Sequence, residues 1–423
     1  MARNMVKQIA KNALILIFVL LFTACEKDKV TPASLSDNEE FFQLMDDWYL
    51  WNNNIPDVNP EEYNSPVQLM EALRYQDLDR WSYVTTVEAF TAYYEQAAYS
   101  GYGFGHATDN AGNRRITFVF NESPLKDFGV TRGWILAKID GIPIAADTDL
   151  NEILGESAEF TFQKPDGTTE IETFTAQEMT MNTVLHNRVI DVNGTKVAHL
   201  VFKSFLGPSE DELTNAFQTF AESGATELVL DLRYNGGGRM DIATQLAGLI
   251  IPESLNGEVF AKYEHNENKR AEDFSYLLEK QPNSLEVEKL YVITSGNSAS
   301  ASEALINGLE PFMDVIKVGT QTYGKPVGMY AFYQDDDYYA YVPVTFKIAN
   351  SNGYGEYYNG LAVDYQVADD ISHPFGDAQE ACLHQALHHI EFGVFDNTKH
   401  TAADNPYFKK PAYNSINSIR GAL

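Results

Sequence analysis

Three serines alternate with alanine in the run Thr294-Ser295-Gly296-Asn297-Ser298-Ala299-Ser300-Ala301-Ser302-Glu303. The run follows an apolar strand, Leu290 to Ile293, and opens a short apolar helix. A helix start leaves backbone N–H groups without partners, so a serine there sits beside donors that can hold an oxyanion. Serine is a poor nucleophile until a neighbouring base takes its proton. The chain offers Lys325, at the end of Val318-Gly319-Thr320-Gln321-Thr322-Tyr323-Gly324-Lys325. A lysine ordinarily titrates near roughly 10.4, so burial must lower its pKa before it can accept a proton at neutral pH. Such a site must be dry. The chemistry does not choose among Ser298, Ser300 and Ser302.

The elements around these residues alternate between strand and helix. Glu227 to Arg233 reads as a buried strand, Asn235-Gly236-Gly237-Gly238 ends it, and Met240 to Ile250 is helical. A strand at 290–293, a helix from about 301 and a strand at 315–318 follow. This βα alternation predicts a mainly parallel sheet covered by helices, an α/β fold class. The glycine turn lacks the lysine of a P-loop and the spacing of a dinucleotide fingerprint.

Together, Ser298-Ala299-Ser300-Ala301-Ser302-Glu303, Thr322-Tyr323-Gly324-Lys325-Pro326 and Asp231-Leu232-Arg233-Tyr234-Asn235-Gly236-Gly237-Gly238 resemble the motifs of the carboxyl-terminal processing, or tail-specific, serine proteases. Gly360-Leu361-Ala362-Val363-Asp364-Tyr365-Gln366-Val367 resembles a fourth element of that family. The resemblance implies Ser300 as nucleophile and Lys325 as general base. It also implies an oxyanion hole from the Ala301 N–H with an N–H near Gly236 or Gly237, on a crotonase-like sheet. Three positions depart from the pattern. Pro326 replaces a glycine, Val363 a proline, and Met329 a glutamine that orients the lysine. Methionine is not expected to make that hydrogen bond, and Gln321 is the candidate substitute. A class A β-lactamase reading fails, because there the serine and lysine lie three apart on one helix.

The segment from Tyr99 has short strands and glycine turns: Gly101-Tyr102-Gly103-Phe104-Gly105, Ile116 to Phe120, Ser123-Pro124-Leu125 and Gly133 to Gly141. It resembles a PDZ domain, which implies that backbone donors of Gly101, Tyr102, Gly103 and Phe104 hold a peptide carboxylate beside a strand edge that accepts the tail. Before it, Phe41, Leu44, Met45 and Trp48 fall at helical spacing, with Asp37 or Asn38 as the expected cap. Trp48, Trp51 and Trp81 read as core.

The expected organisation is a signal peptide at 1–24, a tether at 25–36, a helical domain at 37–97, a PDZ-like domain at 98–178, a protease core at 179–395 and a tail at 396–423. Arg3, Lys7 and Lys11 precede an apolar run, Ala13 to Phe22, that is too short to span a bilayer, and the segment closes on Cys25. That pattern resembles the bacterial lipobox and implies a lipidated Cys25, hence membrane attachment in the cell envelope; an ordinary secretory signal is the alternative. Cys382, the other cysteine, reads as core. A net charge of −30 excludes nucleic acid as partner, since a phosphate backbone needs a basic surface. No cofactor is expected. Asp335-Asp336-Asp337 lacks the rest of an EF-hand loop, and His384 with His388 lacks a third ligand. The function expected is that of a lipid-anchored serine endopeptidase using a Ser/Lys dyad and selecting protein or peptide substrates by their C-termini. The alternative is a non-catalytic peptide-binding scaffold on the same fold, favoured by Met329.

Overall fold

The computed structural model describes residues 36–333 and 338–397. Cys25 with its signal segment, the tether up to 35, the run Asp335–Asp337 and the tail from 398 lie outside the described residues. No helix among the described residues is long and apolar enough to cross a membrane.

Helix α1 (Asp37–Trp48) starts one residue earlier than expected, because Ser36 is its cap. Ser36 Oγ accepts the Glu39 N–H and Glu39 Oε2 accepts the Ser36 N–H, both at 3.2 Å, forming a capping box. Asn38 instead turns inward and donates to the Pro60 and Tyr63 carbonyls. Phe41 and Met45, one turn apart, are fully buried with Tyr49 beyond them. Each contributes roughly 1.5–3 kcal/mol of burial. Helix α2 (Pro66–Leu73), capped by Ser65, adds Leu69, Met70 and Leu73, and Trp81 joins the same core. The core continues into Ala299, Tyr323 and Val327, which flank Ser300 and Lys325 in the chain, and into Tyr341 and Val344. The strand Tyr83–Thr86 extends this union by pairing antiparallel with Tyr339–Val342. Helix α3 (Val87–Tyr94) follows.

The next unit is an antiparallel sheet in the order Phe104–Thr108, Arg114–Val119, Ile135–Ile139, Ser157–Gln163, Thr169–Thr175. Along Ser157–Gln163 the residues Ala158, Phe160 and Phe162 face a core shared with Ile116, Leu136 and Phe174, as the alternation of apolar and polar residues requires. Helix α4 (Pro124–Phe128) is capped by Ser123 and ends at Gly129 in the left-handed region. A two-stranded ribbon, Ala98–Gly101 with Gln177–Thr180, closes the unit where the chain enters and leaves it.

The central sheet runs in the order Val184–Val192, Thr195–Phe202, Glu227–Asp231, Lys289–Thr294, Asp314–Gly319, Tyr365–Gln366. The first pair is antiparallel, so Val184–Val192 is an edge strand of a hairpin, and every later pair is parallel. Helices α5 (Ser209–Ser223), α6 (Met240–Ile250) and α7 (Ala301–Leu309) share a core with one face, and α8 (Ala381–Phe392) covers the other. Burial on both faces explains the unbroken apolar runs. A smaller sheet orders Phe274–Leu277, Val259–His265, Val344–Ala349 and Val327–Met329. The apolar stretch from Tyr339 to Ala349 is split into two strands at Pro343, which cannot donate to a ladder. The N-terminal half then pairs with Tyr83–Thr86 and the C-terminal half joins the smaller sheet.

Candidate active site

At the carboxyl ends of the parallel strands, where open α/β sheets place their ligands, the loop after Thr294 meets the loop after Asp231. The hydroxyls of the three alternating serines have different uses. Ser298 Oγ donates to the Leu232 carbonyl at 2.8 Å and Ser302 Oγ to the Asn235 carbonyl at 3.0 Å, and both residues are 0 % exposed. They tie the two loops together. Ser300 is half-buried and lines a cavity of about 240 Å³ that Lys325 also lines. Its φ of 57° and ψ of −116° are a strained conformation for a residue with a side chain. The structure thus separates three serines that chemistry could not.

Glu303, one turn into α7 and fully buried, organises the site. Its carboxylate accepts the Ser300 N–H at 3.0 Å, the Thr322 hydroxyl at 2.5 Å, the Gly324 N–H at 2.7 Å and the Lys325 N–H at 2.8 Å. One side chain therefore fixes the serine's backbone to the lysine's backbone. Burial pushes its pKa up, and these donors oppose that rise. The sequence offered a signal, Glu three residues after a serine at a helix start, but not the contacts to 322–325.

Lys325 is 3 % exposed, and burial brings its pKa down to about 8 against the opposing charges of Asp79 and Glu303. Its Nζ lies 3.8 Å from Met329 Sδ, so the methionine does meet the lysine, as the weak acceptor a thioether can be. Gln321 does not substitute: it is exposed, and its amide points to the Gly360 carbonyl at 3.5 Å. Arg80 packs its guanidinium 4.9 Å from the Tyr323 ring and reaches the Gly324 carbonyl at 3.5 Å. The N-terminal segment is thereby part of the lysine's wall.

The glycine turn is pressed against the serine. A Cβ at Gly237 would stand 2.8 Å from Ser300 Cβ and 3.0 Å from Ala301 N, and φ there is +102°. Its own N–H, however, is engaged by Asn235 Oδ1 at 2.9 Å. Of the expected donors, Gly237 is therefore corrected: it supplies close approach and not a free N–H. Gly236 does not line the cavity, whereas Gly238, at φ +140°, does. The N–H groups of Gly238 and Ala301 have no hydrogen bond among the described residues. Beneath the turn, Arg233 bonds both Asp231 oxygens at 3.0 and 2.9 Å and reaches Asp369 and Glu380 at 2.7 Å. Arg132, from the preceding unit, joins at Asp369 at 2.6 Å. The Arg233 guanidinium holds Asp231 below the usual carboxylate range despite burial.

The remaining expected positions lie apart from this cavity. Tyr102 is core, with its hydroxyl on the Gly155 carbonyl at 2.9 Å. The Gly103 N–H faces Tyr99 Oη at 3.4 Å, and a Cβ there would meet Met179 Sδ at 2.6 Å. The Gly101–Phe104 turn is thus packed and offers one donor fewer than expected, while Phe104–Thr108 forms an edge of its sheet. His384 bonds Asp396 and His388 the Val394 carbonyl. Among the described residues no group of three or more His, Cys, Asp or Glu is placed to hold a metal.

Fold and site together define a multidomain α/β protein whose parallel sheet presents a strained serine and a buried lysine to one cavity. Known proteins make the assignment narrower. The model for peptidase family S41 matches residues 196–367, and that for the peptidase S41 N-terminal domain matches 36–83. The chain belongs to peptidase family S41. It is 22% identical over 306 residues to the "Probable CtpA-like serine protease" of Staphylococcus aureus (strain MRSA252), covering 71% of this chain and 58% of that one. A protein of the same description from Staphylococcus saprophyticus is 22% identical over 297 residues, covering 68% of this chain and 56% of the relative. The chain thus spans less than two thirds of these relatives' length. A crystal structure of a Bacteroides fragilis protein assigned to the S41 proteases superposes with a TM-score of 0.70 at 23% identity, covering 86% of this chain and 99% of that one. It shares the fold.

Proposed function

We propose that this chain is a serine endopeptidase in which Ser300 is the nucleophile and Lys325 the general base. The observation that carries the reading is the division of labour among the serines. Ser298 and Ser302 are spent on backbone carbonyls, while Ser300 opens onto a cavity it shares with a buried lysine of depressed pKa. Ser300 Oγ attacks the peptide carbonyl carbon, its proton passes to Lys325 Nζ, and the tetrahedral oxyanion is met by the N–H groups of Ala301 and Gly238. Collapse expels the amine, which takes the proton from Lys325 and leaves an acyl ester on Ser300. Water then attacks the ester, gives its proton to Lys325, and returns the serine.

Two further parts belong to this reading. The unit at 98–178 binds substrate C-termini as a PDZ-like module, by adding the tail to the Phe104–Thr108 edge. The protein is held in the bacterial cell envelope by lipid on Cys25. The test is cleavage of an unstructured protein with an apolar C-terminus by the chain from residue 26 onward, beside Ser300→Ala and Lys325→Ala. Cleavage lost in both variants supports the dyad. Binding without any cleavage by the parent favours the scaffold. Labelling with radioactive palmitate that persists in a Cys25→Ala protein would refute the anchor.

A further inference from the structure

Asp273, His265 and Tyr330 form a hydrogen-bonded chain that ends at the wall of the catalytic cavity, and the serine–lysine chemistry does not use it. His265 Nδ1 lies 3.0 Å from Asp273 Oδ1, which also accepts the His265 backbone N–H at 2.7 Å. His265 Nε2 lies 3.1 Å from Tyr330 Oη. A carboxylate only accepts, so Nδ1 carries a proton; in the neutral ring Nε2 is then the acceptor, and the Tyr330 hydroxyl donates to it. The His265 side chain is 0% exposed and stands edge-on to Trp48 at 6.2 Å, so the ring is held in place. Tyr330 has its donor spent on His265, and its oxygen keeps acceptor capacity.

Tyr330 lines the cavity together with Ser300 and Lys325, and so do Tyr263 and Tyr276. The Tyr263 hydroxyl bonds that of Tyr276, and Tyr330 is within electrostatic reach of both. Burial pushes all three phenols upward, Tyr330 to about 12, so they are uncharged at neutral pH. Apolar and aromatic walls complete the cavity: Met240, Val342 and Phe346, with Phe346 stacked on Tyr263 at 3.8 Å. Among the described residues, the carboxylates on its lining, Glu95 and Asp241, both pair with Arg239. Such a space suits a large, mostly apolar ring with an uncharged polar tip, and it offers a cationic side chain no unshared carboxylate.

We propose that this cavity receives the side chain of the residue whose carbonyl Ser300 attacks, and that Tyr330 selects tyrosine over phenylalanine there by accepting a hydrogen bond from the substrate phenol's O–H. His265 and Asp273 are positioning residues that keep Tyr330 Oη an acceptor. The assignment rests on the serine-peptidase reading. A single neutral hydrogen bond of this kind corresponds to a preference of roughly three- to tenfold in kcat/KM.

The experiment uses peptides that differ only at that residue, carrying tyrosine, phenylalanine, leucine or lysine, with Ser300→Ala as the blank. The protein as it stands should cleave the tyrosine peptide roughly three- to tenfold better than the phenylalanine peptide, and the lysine peptide worst. Tyr330→Phe should bring the tyrosine-to-phenylalanine ratio to about one, whatever it does to both rates. His265→Leu should lower the ratio through KM, and His265→Gln, which keeps an acceptor for Tyr330, should restore part of it. Should the variants fail to fold, the cleavage sites that the parent makes in an unstructured protein carry the same ratio. Ser300-dependent cleavage with no tyrosine preference overturns this inference alone. Absence of Ser300-dependent cleavage overturns the peptidase reading and this inference with it.

Discussion

Replacing Lys325 by methionine should make the protein more stable while abolishing its activity. Lys325 is 3 % exposed and its pKa is brought down to about 8 by burial. In the unfolded chain a lysine titrates near roughly 10.4. A folded pKa below the unfolded one means that the unfolded state binds the proton more tightly, so the penalty on folding is full below about pH 8 and fades as pH rises toward 10.4. At about 1.36 kcal/mol for each pH unit of separation, the penalty at pH 7 is about 3 kcal/mol. Methionine keeps the length and the apolar stem without the amine, so Lys325→Met should recover most of that. The assay is urea unfolding of both proteins at pH 7 and pH 10. The expected gain is about 3 kcal/mol at pH 7, shrinking to below 1 kcal/mol at pH 10. A variant that is less stable than the parent at pH 7, or whose difference does not change with pH, would refute the claim that burial of a charge-averse amine is what tunes this lysine.

The same titration predicts that kcat/KM rises about tenfold per pH unit below 8 and levels above it, because in the proposed mechanism Lys325 must be unprotonated to accept the serine proton. Met329→Gln places a carbonyl where the thioether sits 3.8 Å from Nζ, which favours the ammonium and should move the rising limb up by about one pH unit, read from the pH–rate profile. Gly237→Ala should cut kcat at least roughly a hundredfold by driving a methyl against Ser300 and Ala301, and circular dichroism should show a folded protein. Glu303→Gln replaces one of two accepting oxygens by a donor facing N–H groups; thermal unfolding should show a loss of about 2–4 kcal/mol, and kcat should fall with it.

Much of the architecture was legible because it rests on local patterns. Apolar runs bounded by glycine marked the parallel strands, and helical spacing marked Met240–Ile250, which was placed to the residue. What could not be read depends on residues distant in the chain. Glu303 looks like a capping residue until the loop at 322–325 is seen to converge on it. The resemblance pointed to Gly236 or Gly237 as a donor, whereas Asn235 Oδ1 occupies the Gly237 N–H and, of the turn's three glycines, the cavity touches Gly238. Met329 looked like a missing contact because methionine was counted as no acceptor, and the sulfur nonetheless lies against Nζ. Tyr330, His265 and Asp273 carry no motif, since their chain joins the end of one strand, the residue just past a second and the residue just before a third.

A buried lysine also explains why the N-terminal segment shares its core with the catalytic loops. Desolvating an amine costs several kcal/mol, and the surrounding structure must supply that. Phe41, Met45, Leu69, Trp81 and Val84 pack with Tyr323 and Val327 on either side of Lys325, providing apolar burial at the place where the penalty falls. Asp79 is near enough to raise the lysine's pKa, yet its oxygens already accept the Tyr49 hydroxyl at 2.7 Å and the N–H groups of Trp81 and Ser82 at 2.9 and 3.0 Å. A carboxylate so satisfied attracts the ammonium less than an open one would. The segment at 36–83 is therefore a wall of the candidate active site: without it Lys325 would be wetted, its pKa would return toward that of an exposed lysine, and in the proposed mechanism Ser300 would lose its base at neutral pH.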